Sequence, residues 1–232
     1  MRRVAVRLLI LIPLIALGWG CGGAEKVWVR VSVPSEVDIT RYRLAVLPLL
    51  PLRDEDDGEA GESIAYFLQR ELRKVKGIDL LSPAEVKRTL EGERLTKEML
   101  ESPSEMIDIC GELGVDAVVT GTYRLYHVAE PRRYYVDRYS PILRRYVTEA
   151  VTYYVKTYYL KLHLMVIEGE KGEPVIEGDF ESSYSEPHNL GTLVLSEVAD
   201  KPPLQKLALG AISQFMMRIA PHYEREERFL LR

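Results

Sequence analysis

Cys21 is the side chain in this 232-residue sequence best placed for chemistry. It stands at the exit of an apolar segment, Leu8 to Leu17, after Gly18-Trp19-Gly20, and the first seven residues hold three arginines and no acid. A basic start, about ten apolar residues and a small-residue exit make up an export signal. The apolar segment is shorter than the roughly 20 residues that a permanent helix needs to span a bilayer. A thiol at that exit is open to covalent modification. Cys110, the other cysteine, lies in an apolar helical pattern and reads as a small buried hydrophobe. With only two cysteines, no disulfide framework is expected.

The remaining reactive types do not converge. His127, His163, His188 and His222 never fall at a metal-ligand spacing, and His163 sits on the polar phase of a strand pattern. No nucleophile elbow, phosphate loop or dinucleotide fingerprint occurs. The acidic run Asp54-Glu-Asp-Asp-Gly-Glu59 lacks the alternation and distant closing glutamate of a calcium loop. It reads instead as a solvated loop whose charges favour the N-terminus of the helix after it. These observations predict no catalytic residue, no metal, no cofactor and no enzyme activity.

A second kind of chemistry is recognition. Ten of the fourteen tyrosines fall between Tyr123 and Tyr159, and Pro131 to Tyr146 interleaves tyrosines with five arginines. Tyrosine and arginine are enriched at interface hot spots, which makes Arg132, Arg133, Tyr134, Tyr135 and Tyr139 a candidate partner-binding set. Two other readings stay open: tyrosines packed in the core of an ordinary strand pair, and a membrane-inserting hairpin, which the arginines and Asp137 oppose.

Charge narrows the partners. Without residues 1–20, which carry three of the 31 basic side chains, 28 basic and 35 acidic residues remain, net −7. An acidic chain gives no support to nucleic-acid binding. It also points to a lipid, rather than a polybasic surface, as the membrane attachment.

The elements that must position these residues are legible as patterns. Val27–Val33 alternates as a half-buried strand, and the continuous Leu44–Leu47 run reads as a strand buried on both faces. A helix is expected from about Glu62 to Lys76, with Ile64, Phe67, Leu68, Leu72 and Val75 on one face, and a short strand at Ile78–Leu81. Ser82-Pro-Ala-Glu85 and Ser102-Pro-Ser-Glu105 both predict a helix start with a capping box. The second helix is expected to turn Met106, Ile107, Cys110 and Leu113 inward. Strands follow at Val115–Tyr126, Val147–Ile167 and Val175–Tyr184, with a phase change that predicts a bulge near Thr157. A core-facing helix from about Pro202 to Ala220 and a charged tail at Glu224–Arg228 close the chain.

Around Cys21 the sequence resembles a bacterial lipoprotein signal, with Gly18 at the third position before the cysteine and the leucine one step early at Leu17. An ordinary cleaved signal is the alternative. Further along, Leu44-Ala-Val-Leu-Pro48, Gly61, Ile64-Ala65, Leu72, Ile78–Leu81 and Leu113-Gly-Val-Asp-Ala-Val-Val-Thr-Gly121 occur in an order that resembles a group of envelope lipoproteins. That group contains the curli secretion lipoprotein, the lipoprotein activator of penicillin-binding proteins and the amino-terminal domain of the Tol-system propeller protein. The resemblance covers roughly residues 43–126. It implies a three-layer α/β/α sandwich with a mixed sheet and no enzyme activity, to which the residue patterns add long antiparallel central strands and a C-terminal core-facing helix.

The expected organisation is a cleaved signal at 1–20, a lipidated tether at 21–26, and one α/β domain at 27–232 with a tyrosine–arginine excursion at about 128–146. The excursion is either a loop or an extended hairpin. Lipidation, with palmitate-type acyl chains, is expected at Cys21. Gly22 stands where the inner-membrane retention signal has aspartate, so the resemblance implies the periplasmic face of the outer membrane. The expected role is a binding or scaffold lipoprotein whose partner is another envelope protein, held to the membrane by its lipid. The alternative is an oligomeric secretion pore or transport accessory, a homo-oligomer of this chain.

Overall fold

The computed structural model describes residues 24–53, 58–90, 95–185 and 203–231. Cys21 and the acids at 54–57 lie outside these residues. The chain divides into two compact units, one over Ser35–Ala220 and the other made of the segments on either side of it.

The larger unit is a three-layer α/β/α sandwich. Its mixed sheet has the order β4 (Asp79–Leu80), β2 (Arg43–Val46), β5 (Ala117–Ser140), β6 (Arg145–Glu168) and β7 (Glu173–Ser185). The short β3 (Leu50–Pro51) pairs with β5. β2 runs parallel to both neighbours, whereas β5, β6 and β7 are antiparallel. α1 (Gly58–Leu72) and α5 (Leu204–Ile219) cover one face, burying Ile64, Leu68, Leu207 and Phe215 against Leu44, Val119, Leu162 and Leu164. The opposite face packs Ala45, Leu47, Val118 and Ile167 against α2 (Pro83–Thr89), α3 (Lys97–Glu101) and α4 (Pro103–Leu113). β2 is buried on both faces, as its continuous apolar run requires.

Local departures have identifiable causes. Ser82 forms the full capping box: its hydroxyl accepts the Glu85 N–H at 3.3 Å, and Glu85 accepts the Ser82 N–H at 3.0 Å. Ser102, with the same sequence signature, does not. It also ends α3, so its N–H is already given to the Met99 carbonyl, and its hydroxyl pairs with Ser104. Ile107 is exposed, and Ile109 takes the inward position beside Met106, Cys110 and Leu113. α1 starts at Gly58 and stops at Leu72, four residues short of Lys76.

No bulge occurs near Thr157. The register of β5 and β6 is continuous from Ala117↔Glu168 to Ser140↔Arg145, and the irregularity lies at Val166/Ile167, against β7. The phase change records which face is covered. From Tyr158 to Val166 the even-numbered residues of β6 face the core, whereas toward the turn Val147, Val151, Tyr153 and Val155 are half-buried.

The smaller unit is an antiparallel pair, β1 (Ala24–Val33) with β8 (His222–Leu231). β1 thus begins inside the 21–26 stretch. The Glu224–Arg228 segment is strand rather than charged tail: it lacks apolar alternation of its own and pairs with a strand that has it.

Candidate interaction surface

The candidate surface rides on the far half of the β5–β6 hairpin. β7 ends where Ser185 meets Thr157, and β3 ends where Pro51 meets Tyr123. From Ala129↔Lys156 to Ser140↔Arg145 the two arms pair only with each other among the described residues. Twelve residues per arm make a ribbon about 40 Å long at roughly 3.4 Å per residue. The turn is tight at Arg144, which has a φ of 50°, and the Ser140 hydroxyl accepts the Leu143 N–H at 3.2 Å. The excursion at 128–146 is therefore one arm and the turn of a continuous hairpin.

Because side chains alternate across a strand, the register splits the five candidates. Arg132 and Tyr134 share one face with Val151 and Tyr153. There Tyr134 meets Tyr153 edge-on at 5.5 Å, and Arg132 donates to Glu130 at 3.5 Å. Arg133, Tyr135 and Tyr139 share the other face with Tyr146 and Tyr154. Tyr139 and Tyr146 pack edge-on at 5.5 Å, and the Thr148 hydroxyl donates to Asp137 at 2.6 Å. Tyr135, Tyr146 and Tyr154 are each about 70 % exposed. Sequence reasoning omitted Tyr146 and Tyr154. Their signal was present in the period-two spacing of the return arm, and hairpin register sets Tyr146 opposite Tyr139 and Tyr154 opposite Pro131, on the face of Tyr135.

At the ribbon's root the tyrosines change character. Tyr123 and Tyr158 are buried in the core, and Tyr126 stacks on Tyr159 with ring centroids 5.2 Å apart. The core-packing reading thus describes the root, and the exposed reading describes the ribbon beyond it. Residues 129–156 hold six basic and three acidic side chains, net +3, in a chain that is net −4 overall. Arg138 lies 3.9 Å from Glu149 on the Tyr134 face.

Elsewhere the structure offers little that reacts. Among the described residues no group of three or more histidine, cysteine, aspartate or glutamate side chains could hold a metal. His163 lies 2.9 Å from Asp179 on the neighbouring strand. A cleft of about 580 Å³ is lined by Arg41, Tyr42, Cys110, Asp116 and Glu168. The Tyr42 hydroxyl donates to Glu168 at 3.1 Å and also receives Arg41, so these three side chains form one hydrogen-bonded row. Burial pushes the Cys110 thiol up to about 11, with Asp116 adding to the effect. No helix among the described residues is long and apolar enough to cross a membrane, which leaves crossing by strands open.

No family model matches this sequence and no curated protein does. Among solved structures, similarity is found to a PelC dodecamer from Paraburkholderia phytofirmans (12% identity, 84% of this chain and 96% of that one, TM-score 0.41). Lipoprotein GNA1162 from Neisseria meningitidis is similar over 64% of this chain and 87% of its own (16% identity, TM-score 0.40). The LpoB C-terminal domain from Salmonella enterica matches 73% of this chain and 93% of its own (14% identity, TM-score 0.30). All three likenesses are at low sequence identity.

Proposed function

We propose that this chain is a lipid-anchored envelope protein that works by binding another envelope protein through the β5–β6 ribbon, without catalysis. The reading places acyl chains on Cys21 and the domain on the periplasmic face of the outer membrane. The observation that carries it is the ribbon itself: two arms whose outer edges no other strand shares among the described residues, Tyr135, Tyr139, Tyr146 and Tyr154 exposed on one face, and a local charge of +3. A two-stranded ribbon standing alone is marginally stable in water. A partner that covers it supplies the missing burial, and the edges that no described strand occupies can accept a further strand. The positive charge favours an acidic partner surface.

The second reading is a pore built from several copies. Arm length favours it, since a transmembrane strand needs only about 9–11 residues. Charge opposes it, because neither face offers a lipid-facing apolar band. Glu130, Arg132, Arg138 and Glu149 lie on one face and Arg133, Asp137 and Lys156 on the other.

The test is photocrosslinking in intact cells from a reactive group at position 135 or 139, with a group at Tyr66 on α1 as the control. The binding reading expects one heterologous adduct that is lost with Arg132→Glu/Arg133→Glu. Adducts only between copies of the chain, in a closed ladder, favour the pore. No adduct at either ribbon position sinks both.

A further inference from the structure

The smaller unit carries a surface that net charge conceals. Its register sets Lys26 opposite Phe229, Trp28 opposite Glu227, Arg30 opposite Arg225 and Ser32 opposite Tyr223, all on one face. Trp28 (68 %), Phe229 (58 %) and Tyr223 (75 %) are among the chain's most exposed large side chains. Val27, Val29, Val31 and Val33, on the other face, are half-buried. The aromatic face holds three basic residues and one acid. That acid, Glu227, lies 2.7 Å from Lys26, whose ammonium also sits 5.5 Å over the Phe229 ring. Glu224 and Glu226 are on the valine face, with Arg228 paired to Glu226 at 2.9 Å.

Arg30 and Arg225 face each other directly across the pair. Opposed residues bring their Cβ atoms to about 4.5–5.5 Å, and like charges placed so destabilise a sheet. An anion shared between the two guanidiniums reverses that penalty, because each offers a planar fork suited to phosphate. Trp28 lies one row before the arginines on this face and Tyr223 one row after. Tryptophan and tyrosine are the residues that settle at the headgroup level of a bilayer.

Position supplies the occupant. Cys21 precedes Ala24, the first residue of β1, by three residues, a reach of at most about 10 Å. We infer that the Trp28–Arg30–Arg225–Tyr223–Phe229 face lies on the membrane, with phospholipid phosphates between the two arginines and the rings among the headgroups. It is a second membrane contact that orients the terminal strand pair beside the acyl anchor, and in part it rests on the Cys21 reading above.

Trp19 and Trp28 are the two tryptophans of the chain, so Trp19→Phe leaves Trp28 as the sole emitter whether or not the signal is removed. The full chain with this change is reconstituted into phosphatidylcholine vesicles with or without phosphatidylglycerol, using acyl chains brominated near the headgroup. The expected result is blue-shifted emission quenched by roughly half in the anionic vesicles, with the quenching lost in Arg30→Glu/Arg225→Glu. Solvated, unquenched emission overturns the inference, as it would if the face served a protein partner. Quenching that survives the charge reversal overturns the role of the arginines. The intact mass of the Cys21 peptide separates the two readings. Quenching without an acyl mass sinks only the anchor, whereas an acyl mass without quenching sinks only the aromatic face.

Discussion

Arg218 grips Glu36 with both prongs of its guanidinium, Nε to Oε1 at 2.8 Å and Nη2 to Oε2 at 2.7 Å, while Nη1 donates to the Glu177 carbonyl at 2.9 Å. The Glu36 N–H returns a bond to the Arg218 carbonyl at 2.8 Å. The start of the sandwich is thereby tied to the C-terminal turn of α5. The hydrogen bond from Arg218 holds the Glu36 carboxyl below its ordinary value of 4.5. A depressed carboxylate stabilises the fold fully above its unfolded pKa, and that stabilisation is lost as pH falls through the folded one.

Thermal melts of wild type and Glu36→Gln should therefore differ by a few degrees at neutral pH and converge below pH 4.5. Arg218→Ala should show a larger loss, since it also abandons the Glu177 carbonyl. A difference that persists unchanged down to strongly acidic pH would show that the ionised Glu36 carboxylate is not its source, and coincident curves at neutral pH would show that the pair contributes nothing.

α1 meets the β2–β3 link at Gly61. A Cβ there would run into the Leu49 carbonyl oxygen and approach the Tyr123 ring to 3.1 Å. Gly121 is similarly confined: it has a φ of 155°, and a Cβ would strike the His163 carbonyl oxygen on β6. Both obstacles are backbone, which gives way less easily than a side chain. Gly61→Ala should cost about 1–3 kcal/mol by the usual penalty of overpacking, read as a lower urea midpoint at unchanged slope. A neutral result would mean that α1 stands further from the sheet.

Cys110 should be inert in the folded protein. It is buried between α4 and the sheet, and desolvation is the first cause of its raised pKa. A thiol reagent at about pH 8 should leave it unmodified until urea unfolds the chain. The unfolded thiol ionises near the ordinary 9.0 and the folded one near 11. Stability should thus fall as pH rises from 9.0 toward 11, and Cys110→Ala should remove that alkaline slope. Rapid labelling of native protein would contradict the burial.

Patterns in the sequence were legible where one segment determines its own burial. Leu44–Leu47 announces a two-faced buried strand, and the stripe on α5 announces its core side. They were illegible where the answer depended on a partner. Glu224–Arg228 becomes a strand only against Val27–Val33, and Ser102 loses its capping box only because α3 ends on it. The five tyrosine and arginine candidates were found as a cluster, but their division between two faces follows from hairpin register. Net charge misled in one respect: a chain of net −4 still presents Arg30 opposite Arg225 on an exposed aromatic face.

The ribbon should be removable without loss of the fold. On β5 the last fully buried side chain is Tyr123, and on β6 the first is Tyr158, so residues 130–155 contribute nothing to either core cluster. Replacing 130–155 with an Asn-Gly turn joins Ala129 to Lys156, which already face each other across the pair, and that dipeptide suits a two-residue hairpin. The shortened protein should melt within a few degrees of the full chain, because the excised strands carry backbone bonds but no core burial. A large drop in melting temperature would mean that the ribbon props up the domain, and its exposed tyrosines would then have to be explained by folding rather than by recognition.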